Sequence, residues 1–261
     1  MTKLVAVYNF KGGVGKTTIA TNFAYCSADD LNARILLWDL DAQGAASFLF
    51  KRDQQGSKAK RIFSREIDPT QMISPTQWPR IDLLAADISL RHLDQILADG
   101  EKPKRLRKLL HAMAPAYKYI FIDCPPGLSE LSEQIFRAVD LVVVPVLPSP
   151  LAMRSLAAIE KHLEDNPKKP RLMPVISMFD RRKRMHREFL EAHPHWPAIP
   201  QASAIERMAV KRAPVAAFDS KSRAAMAFHN LWQEAEAILE VMPLSREQAA
   251  AKKLVRIPNV Q

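Results

Sequence analysis

The sequence predicts an α/β protein: a doubly wound, mainly parallel sheet with helices on both faces. Three observations point there. Short runs that are apolar almost throughout recur along the 261 residues, as strands buried on both faces require. Helical patterns stand between them, which makes βαβ units with right-handed crossovers. Finally, a glycine-rich turn and two aspartate-bearing segments all fall at strand C-termini, the edge where such sheets bind ligands.

Residues 3–9 (KLVAVYN) read as the first strand, followed by the glycine-rich turn and a helix over about 17–28. Residues 33–40 (ARILLWDL) form a second strand, apolar until its aspartates. Further strands are expected at 81–85, 119–123, 141–146 and 172–177. Helical patterns lie at about 90–98, 104–113, 129–138, 152–164 and 184–192. The polar, poorly periodic stretch 51–80 reads as a surface excursion or a short helical insert. From 204 to 241 the pattern is helical again, with Leu231, Trp232, Ala235, Ile238 and Leu239 on one face. One domain over 1–242 is expected, with 243–261 as a basic, frayed tail.

Composition narrows the class. With 48% hydrophobic residues and 25% charged, the chain is long enough to bury a core without staples. Its two cysteines, Cys26 and Cys124, give no disulfide framework, no CxxC zinc site and no cluster spacing, so a reducing cytoplasm is the default. No apolar run reaches the ~18 residues of a membrane span, and the first residues enter a strand without a signal-peptide core. The net charge is +10. Residues 1–150 hold 19 basic and 16 acidic side chains, net +3, and residues 151–261 hold 19 and 12, net +7. The second half thus carries most of the excess, which favours an anionic polymer such as DNA.

Glycine is scarce, with 7 residues, yet Gly12, Gly13 and Gly15 lie within four positions. The run Lys11-Gly12-Gly13-Val14-Gly15-Lys16-Thr17-Thr18 follows a strand and opens a helix, as a phosphate loop must. Glycines let backbone N–H groups converge on phosphate oxygens, and the helix N-terminus adds positive charge. Lys16 would reach the β- and γ-phosphates, and the Thr17 hydroxyl would ligate Mg²⁺. The pattern G-x-x-x-x-G-K-[ST] fails at its first position, Phe10, and a second lysine, Lys11, stands ahead of the glycine pair. Taken alone, Lys11 reads as solvated surface.

The second strand ends in Asp39-Leu40-Asp41-Ala42-Gln43-Gly44. Either acid can order an attacking water or hold a metal-bound water, or both can merely cap the turn that follows. The strand at 119–123 ends in Asp123, followed by Cys124-Pro125-Pro126-Gly127, which is Walker B logic. Cys124 reads as a small filler beside that acid.

These three segments together resemble the ParA/MinD family, the P-loop ATPases with a deviant Walker A box. The likeness extends to Ile81-Asp82-Leu83-Leu84, to Ser177-Met178-Phe179-Asp180-Arg181, and to the stretch from Ile199-Pro200 through Ala213-Pro214-Val215 to Ser222-Arg223. It covers about residues 1–240 and is nearest to ParA proteins. It implies a slow ATP hydrolase using ATP and Mg²⁺, with Lys11 to Thr18 on the nucleotide. Lys11 would reach across an ATP-sandwich homodimer to the partner's phosphates. Asp41 would position the hydrolytic water, and Thr17, Asp39 and Asp123 would serve the metal. It implies double-stranded DNA bound without sequence preference through basic residues late in the chain, for which Lys211, Arg212, Lys221 and Arg223 are the candidates. It also implies a separate ParB-like or cargo-adaptor protein that stimulates hydrolysis, and a cytoplasmic, nucleoid-associated molecule. Two departures stand out: Ala42-Gln43-Gly44-Ala45 where Pro-Gln-Gly-Asn is frequent, and Gln201 where arginine is common.

The basic run from Arg181 to Arg184 reads either as a solvated helix face or as part of a DNA surface. A membrane-surface switch of the MinD kind is the alternative. It needs a C-terminal amphipathic helix, and 245–261 offers only Leu254, Val255 and Ile257 beside three cations, with Pro258 ending any helix. A scaffold role, with nucleotide only stabilising the fold, is the third reading.

Overall fold

The computed structural model describes residues 1–51, 58–98, 104–164, 166 and 168–241. The tail 243–261, and with it the segment weighed as a membrane helix, lies outside the described residues. In chain order the first half holds β1 (Lys3–Val7), α1 (Lys16–Leu31), β2 (Ile35–Asp39), α2 (Ala45–Leu49), α3 (Lys58–Phe63), β3 (Ser74–Pro75), β4 (Ile81–Leu84), α4 (Leu93–Ala98) and α5 (Arg105–Met113). There follow β5 (Tyr119–Asp123), α6 (Glu130–Ala138), β6 (Leu141–Val146), α7 (Pro150–Glu164), β7 (Arg171–Phe179), α8 (Arg184–Ala192), β8 (Ala198–Pro200), α9 (Ser203–Lys211) and α10 (Arg223–Glu240).

Among the described residues eight strands make one sheet in the order β3-β4-β2-β5-β1-β6-β7-β8. All neighbours are parallel except β3 and β4. Both faces are covered, because side chains alternate along each strand. Leu4, Ala6 and Tyr8 join one core with α5, α6 and α7, while Val5 and Val7 join the other with α1 and α10. Trp232 of α10 makes edge-to-face contacts with Phe23, Tyr119 and Phe121. The doubly wound expectation therefore holds.

The helix expected over 204–241 is broken. Arg212 sits left-handed after α9, with φ 47°, and Pro214 has no N–H to continue the helix. A 3-10 turn at Val215–Ala217 intervenes. Ser222 then restarts the chain by accepting the Ala225 N–H on its hydroxyl at 3.2 Å. The stretch 88–92 is a 3-10 turn preceding α4. The 51–80 excursion holds α3, a 3-10 turn at Pro69–Met72 and the edge strand β3. Both outer strands carry a proline, Pro75 and Pro200.

The register fixes the site. Val7 and Asp39 both lie opposite Asp123, on the two strands that flank β5. The chain leaving β1, the end of β2 and the end of β5 therefore emerge together at one edge.

Candidate functional site

The loop between β1 and α1 is fastened before it reaches the glycines. The Asn9 amide donates to the Pro145 carbonyl at 2.8 Å and accepts the Lys11 N–H at 3.0 Å. Gly13 and Gly15 take positive φ, 71° and 97°, a region that side chains resist. Gly15 is the N-cap of α1 and supplies no side chain to it. The first amides of α1 therefore stay available to an anion.

Lys16 is buried, and its ammonium donates to the Lys11 carbonyl at 2.9 Å. Burial lowers its pKa, with Asp123, Cys124 and Asp41 pulling the other way. Lys11 is exposed and lies 3.4 Å from the Leu151 carbonyl at the start of α7. Gly12 is exposed, Val14 buried, and Thr17 and Thr18 half-buried in the first turn of α1.

The two acids of β2 part company. Asp39 is wholly buried and accepts the Ser47 N–H and hydroxyl at 2.8 and 2.7 Å, and the Asp41 N–H at 3.2 Å. Burial raises its pKa to about 6 against the pull of those hydrogen bonds. These hydrogen bonds hold Asp39 to the turn and to α2 that follow β2, the capping alternative open for this pair of acids. Asp41 is half-buried at the rim and accepts the Gln43 N–H at 2.9 Å.

Asp123 is also wholly buried, yet among the described residues neither carboxylate oxygen meets a donor in full hydrogen-bond geometry, the Thr17 hydroxyl being near enough only to lower its pKa. Burial, then Asp39 and Asp41, push its pKa well up, while the nearby Thr17 hydroxyl and Lys16 ammonium oppose. A buried acid so poorly partnered is costly. A hard cation beside Thr17 is the group that would satisfy it. Cys124 is buried and its thiol pKa raised by that burial, which fits a filler and not a nucleophile.

A cleft of about 120 Å³ continues from Gly15 and Thr18 along Ile19, Met178, Pro200 and Gln201 to Glu206. The strand-end polar residue Ser177 marks it in the sequence. Met178 belongs to the segment Ser177 to Arg181 that carries the family likeness, and it takes φ 55° within the β7–β8 register irregularity. None of the late basic candidates lines this cleft. Lys211, Lys221 and Arg223 are exposed around the α9–α10 junction. Arg212 differs: its guanidinium is turned onto α2, 4.4 Å from the Phe48 ring centroid. In the 181–184 run, Arg182 makes a two-pronged ion pair with Asp180 at 2.9 Å, and Arg184 pairs with Glu188 at 2.6 Å.

A parallel α/β sheet with a glycine loop after β1 and a poorly partnered acid ending β5 defines a P-loop nucleotide-binding protein. Residues 2–172 match the AAA domain family model. The chain is 29% identical to the sporulation initiation inhibitor protein Soj of Bacillus subtilis over 91% of its own length and 99% of Soj. It is 32% identical to the chromosome partitioning protein ParA of Caulobacter vibrioides over 69% of this chain and 71% of that one. Its fold matches the septum site-determining protein MinD of Pyrococcus horikoshii, solved with Mg-ADP, at a TM-score of 0.76 and 18% identity, covering 90% of this chain and 96% of MinD. The chain belongs to the ParA/MinD family of P-loop ATPases.

Proposed function

We propose that this protein is a ParA-type positioning ATPase. It binds ATP with Mg²⁺, dimerises around it, holds double-stranded DNA without reading sequence, and lets go after hydrolysis stimulated by a partner protein. The observation that carries the reading is the buried Asp123 carboxylate, which has no well-formed hydrogen bond among the described residues, beside Lys16 and Thr17 at the mouth of a phosphate loop. Relatives that partition chromosomes support the cellular role.

The amides of residues 12–17 and the Lys16 ammonium receive the phosphates, with Lys16 giving up the Lys11 carbonyl to do so. Thr17 and Asp123 would hold Mg²⁺, with Asp39 behind them. The bound metal would neutralise charge developing on the β- and γ-phosphate oxygens. Asp41, at the rim, orients the attacking water and takes up its proton. Lys11, exposed at the lip of the loop, reaches the phosphates held by a second copy. The cleft toward Met178 and Gln201 takes the nucleoside. The exposed Lys211, Lys221 and Arg223 meet DNA phosphates.

Retention on DNA, measured with ATP, ADP and no nucleotide at two salt concentrations, tests the whole. Retention confined to ATP and falling steeply with salt is expected, each phosphate contact contributing ~0.9 to the log–log slope. Lys16→Ala should weaken ATP about 10- to 100-fold, as loss of a charge-assisted hydrogen bond implies. Undiminished ATP affinity in that variant, or retention indifferent to nucleotide, would sink the reading.

A further inference from the structure

Arg212 closes α9 in the left-handed conformation, φ 47°, where glycine is the usual residue. Its Nε donates to the Phe48 carbonyl at 2.8 Å, and its guanidinium carbon lies 4.4 Å from the centre of the Phe48 ring. Its own carbonyl accepts the Gln77 amide at 3.3 Å. An arginine held left-handed persists only where its surroundings over-determine it, and Phe48 supplies both a carbonyl and a ring face.

Phe48 belongs to α2, and the rest of α2 leads back to the nucleotide site. The Phe48 N–H donates to the Gly44 carbonyl at 2.9 Å, and the Gly44 N–H to the Asp41 carbonyl at 2.8 Å. Ser47, the preceding residue, gives both its N–H and its hydroxyl to buried Asp39. A helix of five residues has little stability of its own; besides burying Ala46 and Leu49 in the core, α2 is tied by hydrogen bonds on two sides. One end is held by the acids that end β2. The other is held by Arg212, which closes α9 ahead of the 3-10 turn at Val215–Ala217, the Lys221 turn and Arg223 at the start of α10.

We propose that Arg212 is a positioning residue: through α2 it carries the state of the Asp39–Asp41 loop to the basic surface at the α9–α10 junction, instead of meeting DNA itself. The inference rests on the reading that this surface holds DNA in the ATP state. Coupling of this kind requires one element that both sites bias, and α2 is the element both touch.

Hydrogen exchange on the full chain, with no nucleotide, with ADP and Mg²⁺, and with ATP and Mg²⁺, tests it, alongside DNA retention in the same three states. In the wild type, ATP slows exchange several-fold both in the phosphate loop and across residues 203–223. In Arg212→Ala the loop protection remains, the response at 203–223 disappears, and the ratio of DNA retention with ATP to that with ADP falls toward one. Arg212→Lys, which keeps the charge but loses the planar fork, behaves as Arg212→Ala does. Phe48→Leu probes the same joint from the other side, and these two milder variants carry the test should Arg212→Ala fail to fold. A wild-type response at 203–223 in the arginine variants overturns the proposal, as does a wild type with no response there. So does a salt slope reduced by about one phosphate with the nucleotide ratio intact, which would make Arg212 a direct DNA contact. An exchange response that depends on Arg212, in a protein that never retains DNA, supports the coupling while removing the DNA reading.

Discussion

Ser177 donates its hydroxyl to the Val14 carbonyl at 2.8 Å, and the same oxygen lies 3.0 Å from where a Cβ on Gly15 would stand. A side chain of β7 thus fastens the phosphate loop and limits what can occupy position 15.

Ser177→Ala should leave the buried Val14 carbonyl without its donor, at a cost of about 1–3 kcal/mol, read as a lower denaturation midpoint and a weaker ATP affinity. Gly15→Ala should be worse, because φ 97° is unfavourable to alanine whatever the space. Adding Ser177→Ala removes the close approach but not the backbone strain, so the double variant stays impaired. Full rescue would refute that account.

Asp41→Ala should keep ATP binding and lose hydrolysis on the order of 100-fold, the scale of a lost general base. The variant should then accumulate as a nucleotide-bound dimer on DNA. Turnover at the wild-type rate would take the proton-accepting role away from Asp41.

Arg223→Glu should reduce DNA retention and flatten its salt dependence, since a phosphate contact becomes a repulsion. Light scattering should still report dimerisation with ATP. A monomer under those conditions would make Arg223 part of the subunit interface.

His186 should make stability depend on pH. Its Nδ1 accepts the Asp180 N–H at 3.0 Å, which a protonated ring cannot do. Burial, then Lys183, hold its pKa below the usual value, against the pull of the Asp180 carboxylate. The unfolded chain therefore takes up a proton before the folded one does. Stability is complete above the ~6.5 of a free histidine and declines as pH falls from there toward the lower folded value. Urea midpoints at about pH 7.5 and about pH 5.5 bracket that range. His186→Asn should lose less across the interval than the wild type, and an equal loss would exonerate this histidine.

Much of this architecture was legible before any coordinates. The runs ending in Asp39 and Asp123, and the loop from Lys11 to Thr18, advertise themselves because buried parallel strands are apolar throughout and phosphate loops need glycine. What escaped was short or relational. Strand β8 spans three residues beside two prolines, and α2 spans five, so neither shows a period. The break after α9 did have a marker in Pro214, overridden by apolar residues that continue at helical spacing on both sides. That Ser47 satisfies Asp39 while Asp123 lacks a well-formed partner among the described residues depends on which residues the fold brings to each carboxylate. No spacing in the sequence encodes that.

The proline-bearing stubs β3 and β8 at the two margins of the sheet have a bearing on assembly. Each offers only two or three residues of backbone, and in each one position has no N–H to lend to a neighbour. A second molecule has almost nothing to lengthen the ladder with. Growth into ribbons or fibrils is discouraged at both flanks, and copies that meet are left to do so through their loops and helices.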